Sequence, residues 1–321
     1  MSNDPAHYAW RRAKSRLGSG AWLTLLTAVV ALAVGGGRPV QAEDDKEKPK
    51  PPKKEVTLSA EDGMGLKATF WPGTNGKESV PVILLHGYGG SRHDFSALGD
   101  YLQEEGFAVL AVDLRGHGES TLVPDANRPL LAADMPQAAF SGMLADVEAA
   151  NKFLIAKNNA GELNIDKLCM VGADMGAVLA VNWAIEDWNW PPLAIGKQGQ
   201  DVKAIVMLSP PERFKSLRMI EAYNDRAVRS RIAFYIAVGN QDPTAMRDAT
   251  KIHKTLKKFH PQPIKVEDQD LFFDHRIPTR LQGTKLLGKD FKDFGLMSNI
   301  AEFFDERAAK QPYAWQERKL P

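Results

Sequence analysis

The apolar run Leu168-Cys169-Met170-Val171 passes into Gly172-Ala173-Asp174-Met175-Gly176 and then into an apolar, helix-compatible stretch from Ala177 to Asp187. A strand-length run without polar alternation describes a strand covered on both faces, which requires helices on both sides of a sheet. Two glycines flanking one polar residue let a strand and the following helix pack closely around a tight turn. Such a turn projects its central side chain from the end of the strand. That side chain is Asp174.

The same alternation runs through much of the chain. Val56 to Leu58 and Leu66 to Phe70 predict an antiparallel pair around Asp62-Gly63. Val80 to Leu85, Phe107 to Val112, Lys203 to Leu208 and Ile232 to Val238 predict buried strands, and Ile264 to Val266 is expected to begin the last one. Helices are predicted at Asp94 to Glu105, Phe140 to Lys157, Ala177 to Asp187, Thr244 to Phe259 and Lys289 to Ala309. The result is an α/β fold, a mostly parallel central sheet with helices on both faces. Between Leu208 and Ile232 there is room only for a small lid, Pro210 to Arg229. Trp183, Trp188 and Trp190 read as packing residues.

His86-Gly87-Tyr88-Gly89-Gly90, Asp113-Leu114-Arg115-Gly116-His117-Gly118-Glu119-Ser120 and Gly172-Ala173-Asp174-Met175-Gly176 occur in this order, each after a predicted strand. Together they resemble the α/β-hydrolase family, in its esterase, lipase and serine aminopeptidase-like branch, over about residues 56 to 309. The resemblance implies a nucleophile elbow at Asp174, where the family pattern GxSxG carries Ser. It also implies an oxyanion hole formed by the backbone N–H groups of Tyr88 and Met175. His86 and His117 are implied as loop-bracing residues.

The family order places an acid after a later strand and a His after the last strand. Asp242, in Gly239-Asn240-Gln241-Asp242-Pro243, matches the acid position, although it also suits a helix N-cap before a proline. Two residues compete for the base position. His275 is the sole His beyond Pro261, whereas Leu281-Gln282-Gly283-Thr284-Lys285-Leu286-Leu287 resembles the HGTxLL segment of esterase-like relatives with Gln282 in place of His. An amide takes no proton at neutral pH. His260 precedes the expected last strand and is the poorer candidate.

Three functions are therefore compatible with the sequence. The first is a catalytically degenerate relic that binds a small-molecule or peptide ligand near Asp174. The second is an active hydrolase of ester-like or small organic substrates using Asp174 with His275, and the third is an envelope protein whose charged linker is the functional part.

Residues 1 to 42 combine a basic region (Arg11, Arg12, Lys14, Arg16), the apolar Ala21 to Val34, which is short for a membrane span, and Val40-Gln41-Ala42 as a cleavage site. The expectation is a signal peptide directing export to the periplasm or beyond; the alternative, an uncleaved N-terminal anchor, would be the sole membrane attachment. Residues 43 to 55 are expected to form a charged, proline-containing extended linker, and residues 310 to 321 a C-terminal tail. A formal charge of +1 gives no nucleic-acid-binding signature. The single Cys169 excludes an internal disulfide and reads as a buried structural thiol. No metal-spaced cluster or cofactor motif stands out, so neither metal nor cofactor is expected.

Overall fold

In the computed structural model, the described residues are 50–122, 128–191, 196–265 and 268–318. The segment expected to direct export and the expected linker up to Pro49 lie outside them. The body formed by residues 50–262 and 269–318 is built on an eight-stranded sheet with order β1-β2-β4-β3-β5-β6-β9-β10. Its strands are β1 (Lys54–Ser59), β2 (Gly65–Trp71), β3 (Pro81–Leu85), β4 (Ala108–Val112), β5 (Cys169–Ala173), β6 (Ala204–Leu208), β9 (Ala233–Ala237) and β10 (Leu271–Asp274). A two-stranded ribbon, β7 (Arg213–Phe214) and β8 (Leu217–Arg218), stands apart from the sheet. β1 pairs antiparallel with β2 and β2 with β4, and the remaining sheet pairs are parallel.

The apolar runs become central strands because both of their faces are covered. Along β3, Ile83 and Leu85 join a core with Val147 and Leu154 of α2 (Leu144–Asn159), Val178 of α3 (Met175–Asn189) and Ile252 of α6 (Pro243–Leu256). Val82 and Leu84 point the other way, into a core with Leu98 and Leu102 of α1 (Ser96–Glu104) and Ile300 and Phe304 of α7 (Leu296–Phe304). The period-two alternation of strand side chains divides one apolar run between two cores. Trp183 is buried among the first group, and Trp188 donates its indole N–H to the Val202 carbonyl at 3.0 Å.

Register sets the place of the functional loops. Leu85 pairs with both Val112 and Gly172, Ala173 with Leu208, Leu208 with Ala237, and Ala237 with Asp274. The residues that follow these strand ends, among them His86, Asp113, Asp174, Ser209 and His275, are therefore delivered to one edge of the sheet. In open α/β sheets, ligand sites form at that carboxyl edge.

Several sequence expectations require correction. The last strand is Leu271–Asp274, not a segment beginning at Ile264; Ile264 is fully exposed, and Val266 lies outside the described residues. The Leu-Phe-Phe triplet supplies the apolar and aromatic strand-forming side chains of the segment that pairs with β9. The helix expected from Lys289 to Ala309 is interrupted at Gly295, whose φ of +65° breaks it into a tight 3-10 segment (Lys289–Phe294) followed by α7. Part of the expected linker is structured: Lys54 and Glu55 pair in β1, and Gln103 donates to the Pro51 carbonyl at 2.9 Å. The lid is small, as expected, and comprises the β7–β8 ribbon with the short helices α4 (Met219–Asn224) and α5 (Arg226–Arg231).

The tail is docked. Asn159 donates to the Arg318 carbonyl at 2.6 Å and accepts from its N–H at 2.8 Å, while Asn164 donates to the Tyr313 carbonyl at 2.9 Å. The buried Arg318 guanidinium pairs with Asp201 and, at 2.9 Å, with Asp166. Lys197 is the second cation on both carboxylates. Removing one partner from a buried ion cluster leaves charge without compensation. Arg318→Ala is thus expected to cost about 3 kcal/mol in urea unfolding; a loss below about 1 kcal/mol would show that Lys197 suffices alone.

Candidate functional site

Asp174 sits between β5 and α3 with φ +49° and ψ −115°, a backbone region that non-glycine residues rarely occupy. Close packing holds it there. A Cβ on Gly176 would lie 2.7 Å from the His86 carbonyl oxygen and closer still to that of Leu85, and a Cβ on Gly172 would meet the Ala177 nitrogen at 2.5 Å. Both glycines are therefore needed for the helix to leave the strand so abruptly. The Asp174 N–H donates to the Leu208 carbonyl at 2.9 Å, tying the turn to β6.

The backbone N–H groups of Tyr88 and Met175 lie beside the Asp174 carboxylate. Its side chain lies over Gly87, where a Cβ would come within 3.1 Å of the Asp174 Cβ. Burial pushes its pKa above the ordinary carboxylate value, while the two amide donors act in the opposite direction. The N-terminus of α3 also favours negative charge there. Among the described residues, no lysine or arginine forms an ion pair with Asp174.

The loop bearing Tyr88 is braced from beneath by His86. Its Nδ1–H donates to the Gly87 carbonyl at 2.7 Å, and its Nε2 accepts from the Leu114 N–H at 3.1 Å. This use of both nitrogens defines a neutral ring, and burial lowers its pKa to about 4. Asp113 braces the neighbouring loop by accepting from the N–H of Arg92 at 2.6 Å and of Glu119 at 2.9 Å, and it pairs with the buried Arg92 guanidinium. His117 packs against His86 and Tyr88, with ring centroids 5.0 and 5.5 Å away, and its Nδ1 bonds the Arg115 carbonyl at 3.1 Å.

The residues nominated as acid and base have hydrogen-bond and packing partners other than Asp174. Asp242 caps α6, its Oδ1 accepting from Thr244 and Ala245 N–H at 2.8 and 3.0 Å. His275 is exposed, with its ring edge-on to Phe273 at 4.9 Å and its carbonyl accepting from Asn240. Neither His275 nor Gln282 is hydrogen-bonded to Asp174 among the described residues. Gln282 instead forms a two-way pairing with the Gly239 backbone, accepting at 3.1 Å and donating at 3.0 Å. The loops after β9 and β10 are joined further by Asn240 and Gln241 N–H bonds to Ile277 and Thr279 carbonyls. His260, the weaker candidate, packs edge-on against Phe234.

Sequence reasoning missed Ser209 and the ring cluster over the elbow. Ser209 has φ +53°, donates to Gln282 Oε1 at 2.6 Å and accepts from Gly283 N–H at 2.9 Å. Its position directly after an apolar strand was the available signal. Tyr88, Phe140 and Phe214 converge from three separate segments, with centroids 5.5 to 6.2 Å apart. Their sequence separation concealed them.

The elbow, the two amides and the loop order can now be compared with known proteins. The family model for serine aminopeptidase, S33 (Hydrolase_4), matches residues 77–257, more than half of the chain. This chain belongs to that α/β-hydrolase family. An uncharacterized protein of Mycobacterium tuberculosis is 27% identical over 147 residues, covering 45% of this chain and 44% of its own. The sn-1-specific diacylglycerol lipase ABHD11 of Danio rerio is 28% identical over 113 residues, covering 35% and 29%. The chain thus spans less than half the length of these curated relatives.

Among solved structures, a Pyrococcus furiosus esterase aligns with a TM-score of 0.57 at 19% identity, covering 80% of this chain and 92% of its own. The dienelactone hydrolase of Anabaena variabilis gives 0.56 at 15% identity, covering 81% and 99%. At these identities the likeness concerns the S33 chain's fold.

The bracing role of His86 has a pH signature. Its folded pKa of about 4 lies below its ordinary value of 6.5, so the unfolded chain gains a proton first as pH falls. The neutral-ring contribution is complete above about pH 6.5 and is lost progressively down to about pH 4. His86→Asn is expected to flatten that part of the stability curve by roughly 3 kcal/mol across the window. Parallel wild-type and variant slopes in urea unfolding at stepped pH would disprove the assignment.

Proposed function

We propose that this α/β-hydrolase-family protein binds a small-molecule or peptide ligand at the Asp174 site and does not turn over acyl substrates. The observation that carries this reading is a carboxylate at the elbow: the Asp174 side chain lies against Gly87, beside the Tyr88 and Met175 amides. Those donors would receive the oxyanion of a tetrahedral intermediate in an acyl hydrolase. Here the protein's own carboxylate stands beside them, and a substrate carbonyl approaching the same point would meet it.

The proton chemistry points the same way. Gln282, at the sequence position matched to the family His, is committed to the Gly239 backbone and has no basic nitrogen. Asp242 spends its Oδ1 on a helix cap, and His275 lies against Phe273. A carboxylate nucleophile such as Asp174 would also need a base-activated water to release its ester intermediate. Export is part of the proposal and rests on the basic-then-apolar N-terminal sequence.

The test is hydrolysis of p-nitrophenyl acetate and butyrate by wild type and Asp174→Ala. Both are expected to remain near the background rate, since loss of a single triad member costs roughly four orders of magnitude or more in kcat. Saturable wild-type turnover at least about a hundred-fold above that of Asp174→Ala would replace the binding reading with an active hydrolase.

A further inference from the structure

The edge of the sheet opposite Asp174 carries a second built site. Asn158 and Asn159 close α2, Asn164 leads into β5, and Asp201 and Lys203 precede β6, so these residues gather at the amino ends of the strands. The C-terminal segment from Gln311 to Arg318 runs across them without regular secondary structure.

Asn158 and Asn164 are fully buried, and both are set by their own loop: their Oδ1 atoms accept from the Ile165 and Asp166 N–H groups at 3.0 and 3.1 Å. Their side-chain N–H groups then donate to the carbonyls of Gln316 and Tyr313, both at 2.9 Å. Asn159 exchanges two bonds with the Arg318 backbone, at 2.6 and 2.8 Å. Main-chain bonds of this kind hold an extended peptide whatever its sequence, and pockets for single side chains add the specificity. Lys203 stands 4.7 Å from the Tyr313 ring centroid and Lys77 3.5 Å from that of Trp315, whose indole N–H donates to the Asn158 carbonyl at 3.2 Å. Three residues on, the Arg318 guanidinium pairs with Asp166 and Asp201 and donates to the Lys197 carbonyl at 2.9 Å.

The asparagines are oriented by the loop and not by the tail, so the groove is preformed and open to any segment that makes the same bonds. An emptied groove would leave Asp166 and Asp201 with Lys197 as their ion-pair partner among the described residues, which favours refilling. The matching segment is present on every other copy of the chain. The tail leaves the body through a tight turn at Pro312, where the Tyr313 N–H donates to the Gln311 carbonyl at 2.8 Å. Opening that turn redirects the arm while keeping every groove contact, which is the condition for exchange between copies.

We propose that this groove is a recognition site for an extended peptide of the pattern Tyr-x-Trp-x-x-Arg, filled in cis by the chain's own tail and in trans by the tail of a second copy. It lies at the other end of β5 from Asp174 and is independent of what that carboxylate does.

The probe is a labelled synthetic peptide of residues 311–321, added to the full chain carrying Arg318→Ala. By fluorescence anisotropy it is expected to bind this variant at least about ten-fold more tightly than wild type, whose tethered tail competes at a millimolar effective concentration. The same peptide with Arg318→Ala is expected to bind at least about ten-fold more weakly. Saturating unmodified peptide should also raise the variant's urea midpoint toward that of wild type. If the Arg318→Ala chain lacks native circular dichroism, Trp315→Ala, which leaves the ion cluster whole, carries the same expectations.

Exchange between copies is read by light scattering of the full chain lacking Gln311 and Pro312, whose tail falls short of its own groove. A larger dimer fraction than wild type at equal concentration is expected, and it should be lost when Arg318→Ala is added. Absence of saturable peptide binding by a natively folded tail variant, equal binding of the two peptides, or an unchanged dimer fraction in a natively folded shortened chain would overturn the proposal.

Discussion

The close approach of Gly176 to the Leu85 and His86 carbonyls fixes where α3 leaves the sheet, and the other functional parts are placed relative to that departure. The β3 end and the start of α3 meet without an intervening side chain. Consequently the amide following His86-Gly87 and the amide following Asp174 both lie beside the Asp174 carboxylate. The buried Arg92–Asp113 pair and the neutral His86 hold the adjoining loops at their ends. The site is therefore built largely from backbone groups, whose placement is set by packing beneath them.

This construction explains how a hydrolase scaffold can persist while its side-chain chemistry changes. An oxyanion-binding pair of N–H groups does not depend on the identity of the central side chain, so a carboxylate can enter the arrangement and use it. An Asp at this point puts a carboxylate where the family pattern carries a Ser hydroxyl. Gln282 acts on the neighbouring loops as a clasp between the β9 and β10 connections, a role that needs an amide's donor and acceptor and no titration.

Much of the architecture was legible because the central strands are continuous apolar runs and each ends in a glycine or a polar residue. The elbow was especially legible, since Gly172 and Gly176 have a steric purpose that follows from the strand-to-helix turn. The last strand was harder to place: Leu271-Phe272-Phe273 is short and follows Asp268-Gln269-Asp270, while Ile264 offered a competing apolar signal. Asp242 carries two meanings in one dipeptide, and its Oδ1 serves the capping one. The clasp made by Gln282 depends on a backbone group 43 positions away, and the ring cluster draws on three loops, so neither leaves a local pattern.

The docked tail gives the fold a temporal property. Arg318 bonds Asn159 and Asp201 across separations of 159 and 117 residues, so its contacts are among the most non-local in the described body. Such contacts form only after the intervening chain has been closed into a loop. During vectorial emergence from the N-terminal side, the sheet and its two helical layers can assemble while Asp166 and Asp201 still await their arginine. Completion of the native charge balance is thereby coupled to delivery of the tail, which acts as the closing stitch of the domain.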